Sequence, residues 1–246
     1  MQQQDCQNQF SSFFPFWKDL PPKDQELLCQ STSIQSYSKG TLIHDGNDCT
    51  GAIVVTSGCL RVYLQPEQGR EITLYRLFPK DICMLSASCV LDSITFDVAI
   101  DAEEDSQCYL IAGGVFADMA DRNIAMKNFA LETAVTRFSD VMWVMQQILF
   151  MSFDKRLAIF LWDEVAKTGN DSIKMTHEQI ARYMGSAREV VSRMVKYFAA
   201  EGIVETSRGG LKILDREKLR QLALEECLKL CLGQSTNRLA NTLALV

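Results

Sequence analysis

The stretch GSAREVVSRMVKYFAAEGIVETSRGG, residues 185–210, places Arg188, Glu189, Ser192, Arg193 and Lys196 at offsets 0, 1, 4, 5 and 8. On a helix of about 3.6 residues per turn these five share one face. Ala187, Val190, Val191, Met194 and Phe198 fall between them on a second, apolar face. Two arginines, a carboxylate and a hydroxyl near the start of a helix are groups that read base edges in a major groove. Arginine grips guanine O6 and N7 with two hydrogen bonds, glutamate accepts from cytosine N4, and serine serves either role. Recognition helices present their N-terminal residues to bases. Ser186, Lys196 and, further on, Arg208 suit phosphate oxygens, which position a protein without specifying sequence. A solvated amphipathic helix would show the same two faces, so the surrounding elements must decide.

Those elements are punctuated clearly. Thr176 with Gln179 three residues later is a capping-box pattern that opens a helix over 177–184. Gly185 ends it and permits a tight turn. Ser186 with Glu189 is a second such pattern, opening a helix over 187–201 that Gly202 closes. IVETSRGGLKIL is two short β-type runs joined by Ser207-Arg208-Gly209-Gly210, a hairpin signal. Helix, turn, helix and hairpin make a winged helix-turn-helix. With this frame, DNA binding is expected over the solvated face.

Upstream, FFPFWKDLPPKDQELLCQ reads as a short helical lead-in, with Pro21-Pro22 suited to a helix start. From 34 to 112 come short β-type runs: TLIH, AIVVT, CLRVYLQ, EITLYRLF, ITFDVAI and CYLIA. Turn signals at Lys39-Gly40, Asp45-Gly46-Asn47, Ser57-Gly58 and Gln68-Gly69 separate them. Many closely spaced short strands indicate an antiparallel barrel or sandwich. From about 115 to 150 the period becomes helical. Leu131, Ala134, Phe138, Val141, Met145 and Ile148 are spaced 3, 4, 3, 4, 3, the seam of a helix pair. Val135, Met142 and Leu149 form a second apolar row. A buried core helix competes with a dimer seam, and the regular spacing favours the seam. SFDKRLAIFLWDEVAKTGN reads as another helix ending near Gly169-Asn170.

The bulk numbers bound the function. The chain has 246 residues and a net charge of -6, an unpromising sign for a nucleic-acid partner. The charge is uneven, however: residues 154–220 carry 13 Lys/Arg against 10 Asp/Glu, and the remainder 12 against 21. That division suits a chain with two jobs. Nine cysteines, an odd number without a CxxC pair, make a poor disulfide framework. MQQQDCQNQF has no leader pattern. The longest apolar run, near 141–151, is broken by Gln146-Gln147 and falls short of the ~20 residues that span a bilayer. A soluble, reduced, cytoplasmic protein with no membrane partner is expected. Two histidines are too few for a cupin-type metal site, and no catalytic triad, P-loop or dinucleotide fingerprint occurs, so no enzyme and no metal are expected.

MTHEQIARYMGSAREVVSRMVKYFAAEGIVE resembles the DNA-binding module of the CRP/FNR family of bacterial transcription regulators. The resemblance extends over most of the chain, taking in Gly40, Gly46 and Gly58 of a β-roll and the long helix. Arg188, Glu189 and Arg193 satisfy the CRP branch's R-E-x-x-x-R pattern, and Glu189, Ser192 and Arg193 the FNR branch's E-x-x-S-R. It implies an α+β fold: an N-terminal antiparallel β-roll, a cyclic-nucleotide-binding-like jelly roll, over 1–114; a dimerisation helix over 115–152; a winged helix-turn-helix over 153–232; and a tail over 233–246. It also implies a homodimer on a palindromic duplex with a TGA-like half-site core, base contacts from Arg188, Glu189, Ser192 and Arg193, and RNA polymerase as a partner.

The resemblance fails at the ligand. The family's cyclic-AMP site needs a Gly-Glu pair and an Arg-Ser pair. Here Met84-Leu85 and Phe96-Asp97 stand in those places, with Val141-Met142 where the long helix would reach adenine. A carboxylate facing a phosphate repels it, so no cyclic nucleotide is expected. Met84, Leu85, Phe96, Asp97, Val141 and Met142 would line a pocket for an apolar or weakly basic effector, or would simply fill the space. Cys6 and Cys29 alone in the N-terminal region are too few for an FNR-type iron–sulfur cluster. Cys83 with Cys89, and Cys227 with Cys231, could be redox-active or bind metal; packing as small hydrophobes is favoured. An effector-independent regulator, or a ligand- or partner-binding protein without DNA binding, are the other readings.

Overall fold

A computed structural model of the chain describes residues 3–46, 49–65, 71–86 and 98–231. It divides into two compact units, residues 1–69 with 73–142 and residues 70–72 with 143–246.

The first unit opens with two helices, α1 (Gln3–Phe13) and α2 (Pro22–Gln30), joined by a 3-10 turn over Pro15–Asp19. Pro22 sits at the start of α2, where its missing N–H is no loss. Phe10 meets Phe14, Trp17 and Tyr109 edge to face, with centroids 5.3, 5.5 and 5.7 Å apart. Such pairs add to the burial of large rings. A disulfide joins Cys6 of α1 to Cys29 of α2, and Cys49 is also disulfide-bonded. The expectation of a wholly reduced chain therefore does not hold. Cys6 and Cys29 lie 23 residues apart, and two packed helices bring their Cα atoms to 6.0 Å. A spacing rule built on CxxC pairs misses that closure.

Eight strands follow: β1 (Thr32–Tyr37), β2 (Leu42–His44), β3 (Ala52–Ser57), β4 (Leu60–Leu64), β5 (Ile72–Leu77), β6 (Ile82–Cys83), β7 (Ala99–Ala102) and β8 (Ser106–Ile111). They form two four-stranded sheets, ordered β1-β8-β3-β6 and β2-β7-β4-β5, and every observed register is antiparallel. β3 is buried on both faces. Ile53 and Val55 enter the cluster built from β4, β5, β7 and β8, while Val54 enters the cluster under α1 and α2. This alternation follows from the period of two along a strand. Gly58 turns β3 into β4 at φ +82°, and a Cβ there would stand 2.3 Å from Ser106 Oγ. Arg61 of β4 faces Asp101 of β7, buried, through two hydrogen bonds of 3.1 and 2.8 Å.

The helical segment is broken. α3 (Gly113–Arg122) and α4 (Ile124–Phe150) are separate helices, where the sequence suggested one stretch from 115. Asn123 takes an extended backbone, and its side-chain oxygen accepts from the Met126 N–H at 3.1 Å, as an N-cap does. Along α4, Leu131, Val135, Phe138, Met142, Met145, Ile148 and Leu149 are exposed, while Ala134 and Val141 are half-buried. Both apolar rows of α4 are thus largely uncovered on a single chain. No helix among the described residues is long and apolar enough to cross a membrane.

The second unit runs through α5 (Phe153–Thr168), β9 (Ser172–Ile173), α6 (His177–Met184), α7 (Arg188–Ala200), β10 (Val204–Ser207), β11 (Gly210–Ile213) and α8 (Arg216–Cys231). Leu157 and Leu161 of α5, Ile180 of α6, Val191, Val195 and Phe198 of α7, and Leu211 of β11 form its core. The tail 233–246, with Phe96, Asp97 and Cys89, lies outside the described residues, as do the side chains of Cys227 and Cys231.

Candidate nucleic-acid interface

α6 begins as its sequence demands. Thr176 Oγ1 accepts from the Gln179 N–H at 3.2 Å, and Gln179 Oε1 accepts from the Thr176 N–H at 2.8 Å. Gly185 closes the helix in the left-handed region, φ 60°, where a side chain would be strained. The turn then uses the Ser186 N–H, which donates to the Ala181 carbonyl at 2.9 Å. α7 starts later than the second capping-box pattern suggests. Its N-cap is Ala187, no side chain caps it, and Arg188 is the first helical residue. Ser186 stands one position too early to cap.

That start puts Arg188 and Glu189 in the first turn of α7, with Ser192, Arg193 and Lys196 continuing the face. Val191, Val195 and Phe198 on the opposite face are fully buried. Arg188, Glu189, Arg193 and Lys196 are exposed, and Ser192 is half-buried. A cation in the first turn is unfavourable to the helix dipole, so Arg188 gains nothing from its own helix. Nor does it gain from a neighbour. Among the described residues Arg188, Arg193 and Arg208 make no ion pair and no side-chain hydrogen bond, whereas every other described arginine has a carboxylate or carbonyl partner. Arg156 donates to the Met184 carbonyl at 2.6 Å, Arg216 to Asp171 at 2.6 Å, Arg182 pairs with Glu71, and Arg220 with Glu217 at 3.5 Å. In the first unit Arg61, Arg76, Arg122 and Arg137 are paired likewise. The unpaired three are those on the predicted reading helix and on the hairpin.

The hairpin is β10 and β11, with Ser207 opposite Gly210 and Arg208 at the exposed tip. β9 adds a third strand, pairing Ile173 with Leu211. Gly210 is required there, since a Cβ would sit 2.4 Å from the Ile173 carbonyl. His177, in the first turn of α6, reports the local field. Burial first, and then Arg188 and Lys196, hold its pKa below the ordinary value of 6.5.

Of the six expected pocket residues, Phe96 and Asp97 lie outside the described residues, and the other four are placed as follows. Met84 packs under α1 and α2, whereas Leu85 and Val141 pack with the cluster that includes Ile53, Val62 and Ile100. Met142 is exposed. Sequence reasoning missed Arg137 of α4. Its guanidinium donates to Asp81 and Asp140 at 3.2 Å each and lies 4.9 Å from the Tyr75 ring. Burial raises the Tyr75 phenol well above its ordinary pKa. The available signal was a lone arginine inside an apolar-rich helix, three residues before an aspartate.

Comparison with known proteins follows these features. Residues 34–123 match the cyclic nucleotide-binding domain, and residues 155–222 match the Crp-like helix-turn-helix domain. A solved structure from Eubacterium rectale ATCC 33656, described as a transcriptional regulator of the CRP/FNR family, is 46% identical, covers 86% of this chain and 98% of its own, and superposes with a TM-score of 0.82. The chain belongs to the CRP/FNR family. The Cyclic AMP receptor protein of Thermus thermophilus is 21% identical to this CRP/FNR chain over 210 residues, 85% of this chain and 96% of that one. The Transcriptional activator protein FnrA of Stutzerimonas stutzeri is 25% identical over 194 residues, 74% and 77% of the two chains. This CRP/FNR protein is a transcription regulator with a helix-turn-helix DNA-binding domain, and not an enzyme.

Proposed function

We propose that the protein binds a two-fold palindromic duplex as a homodimer. α7 of each copy enters a major groove with Arg188, Glu189, Ser192 and Arg193 on base edges, while Ser186, Lys196 and Arg208 take phosphates. The observation that carries this reading is the three arginines that have no ion pair or side-chain hydrogen bond among the described residues, all on α7 and the hairpin tip. Dimerisation through α4 is supported by its uncovered apolar rows, from Leu131 to Leu149. Two-fold pairing would set the reading helices one helical turn apart, about 34 Å. RNA polymerase is the protein partner we infer for such a regulator.

We further propose that the regulator takes neither a cyclic nucleotide nor an FNR-type cluster. Met84 and Leu85 provide no carboxylate for a ribose, and Cys6 and Cys29 are bonded to each other. The gate we propose is an effector other than a cyclic nucleotide. One observation favours the second reading, a regulator that needs no effector: Arg137 is already neutralised by Asp81 and Asp140. Binding-site selection from a randomised duplex tests the main reading. It should yield a palindrome with a TGA-like core, and recovery of unrelated sequences would refute it. A thermal-shift screen of small metabolites separates the gated form from the ungated one.

A further inference from the structure

We propose that Cys6 and Cys29 form a reversible dithiol–disulfide site, which clamps the N-terminal helices onto the first unit and thereby tunes DNA binding. In that last clause it rests on the function proposed above.

The two sulfurs join elements of different standing. α2 is anchored on both sides. Thr32 Oγ1 donates to the Leu28 carbonyl at 2.6 Å, tying the end of α2 to β1, and Asp24 pairs with Arg122 of α3 at 3.7 Å. α1 reaches the rest of the unit through the rings of Phe10 and Phe13, through Gln9 to the Tyr109 hydroxyl, and through the disulfide. Closing or opening that bond therefore changes the hold on α1 far more than the hold on α2. The clamped aromatic cap also rests on the first turns of α4. Phe14 and Phe16 lie edge-on to Phe129 at 5.7 and 5.2 Å, and Met126 and Ala130 join the same buried cluster. The uncovered apolar row of α4 starts one residue later, at Leu131. The bond thus fixes the root of the helix that carries the proposed dimer surface.

Cys49 is also disulfide-bonded, and chemistry separates the Cys6–Cys29 pair from the three described cysteines outside any disulfide. Cys59, Cys83 and Cys108 are buried and form no disulfide, and burial pushes the Cys108 thiol up to about 12, which leaves it without a thiolate to react. A regulator that binds the chromosome works where thiols are held reduced, and disulfides there are mostly transient or sensing. Oxidation would proceed by exchange with a low-molecular-weight disulfide. One protein thiolate attacks a sulfur of that disulfide and expels a small thiolate. The second protein thiolate then attacks the mixed disulfide, forms the Cys6–Cys29 bond and expels the other, so two electrons pass from the protein to the small disulfide. Both cysteines are buried, so exchange waits for α1 to lift, a local opening.

The test uses the full chain equilibrated across ratios of reduced to oxidised glutathione. Alkylation with mass mapping follows the thiols, amide hydrogen exchange follows residues 3–13, and gel shifts measure affinity for the selected palindrome. Cys6 and Cys29 should lose their thiols together in one reversible two-electron step. Exchange over 3–13 should slow by about tenfold or more on oxidation. Affinity should differ by about fivefold or more between the two states. The C6S/C29S variant should behave as the reduced protein at every ratio. Thiols that never pair, a bond that stays closed in excess reduced glutathione, unchanged exchange over 3–13, or equal affinities would each overturn the proposal. If neither state binds DNA, the DNA-binding reading has failed instead, and alkylation and exchange decide the clamp by themselves.

Discussion

Arg193 and Lys196 sit three residues apart on the same exposed face of α7, yet they are assigned different work. Arg193→Ala should cost about 1–3 kcal/mol on the selected site and relax preference at one base pair. Lys196→Ala should weaken all duplexes alike and lower the salt slope by about one. Anisotropy titrations across salt, with matched and scrambled duplexes, separate the two; equal, sequence-blind losses would sink the assignment. His177 supplies a pH test. Its pKa in the folded protein lies below 6.5, so as pH falls the unfolded chain takes up the proton first. Stability is then greatest above the ordinary histidine value and declines as pH drops through the lower folded one. His177→Gln should flatten the fall in urea midpoint between about pH 7 and pH 5, by a small margin because the ring is partly exposed. Identical slopes in the two proteins would remove His177 from the account. The types and positions of the α7 residues were legible because recognition needs rare chemistry at helical spacing. Their lack of ion-pair partners among the described residues was not, because pairing depends on carboxylates distant in sequence, such as Asp171 for Arg216.

At the level of elements, α4 offers the sharpest test. Phe138→Glu or Val135→Glu should turn a dimer into a monomer in sedimentation velocity, with a large loss of DNA affinity; a dimer that persists would place the interface elsewhere. Gly58→Ala should destabilise the first unit by about 1–3 kcal/mol from backbone strain alone, with the clash at Ser106 adding to it, as read from urea unfolding. Elements with strong local punctuation were readable. α6 runs 177–184 as Thr176, Gln179 and Gly185 require, and α5 ends at Gly169. The start of α7 was misplaced because a Ser-x-x-Glu spacing does not reveal that the turn after Gly185 runs one residue further, to Ala187. β1 and β9 escaped because β1 is polar and exposed on an edge and β9 has two residues; their pairing, not their composition, makes them strands. The break at Asn123 was hidden by apolar residues on both sides, although asparagine is a natural cap.

For the whole molecule, the division of charge anticipated two units with different tasks, and two family models fall on them, residues 34–123 and 155–222. Calorimetry with cyclic AMP or cyclic GMP should show no binding in the micromolar range; a clear isotherm would overturn the reading of Met84 and Leu85. The cysteine pairing was the largest feature out of reach, because a 23-residue separation says nothing until two helices are packed. Arg61 and Asp101 carry a different lesson. They meet across β4 and β7 with side chains 2% and 10% exposed. Losing either one breaks a buried ion pair, at about 3–5 kcal/mol. Few domains keep enough reserve to survive that, so the route from this pair to an apolar one through single substitutions crosses a deep valley. Mutational libraries built one position at a time will report both sites as immutable, while a library that varies them jointly should find folded solutions that neither site would disclose alone.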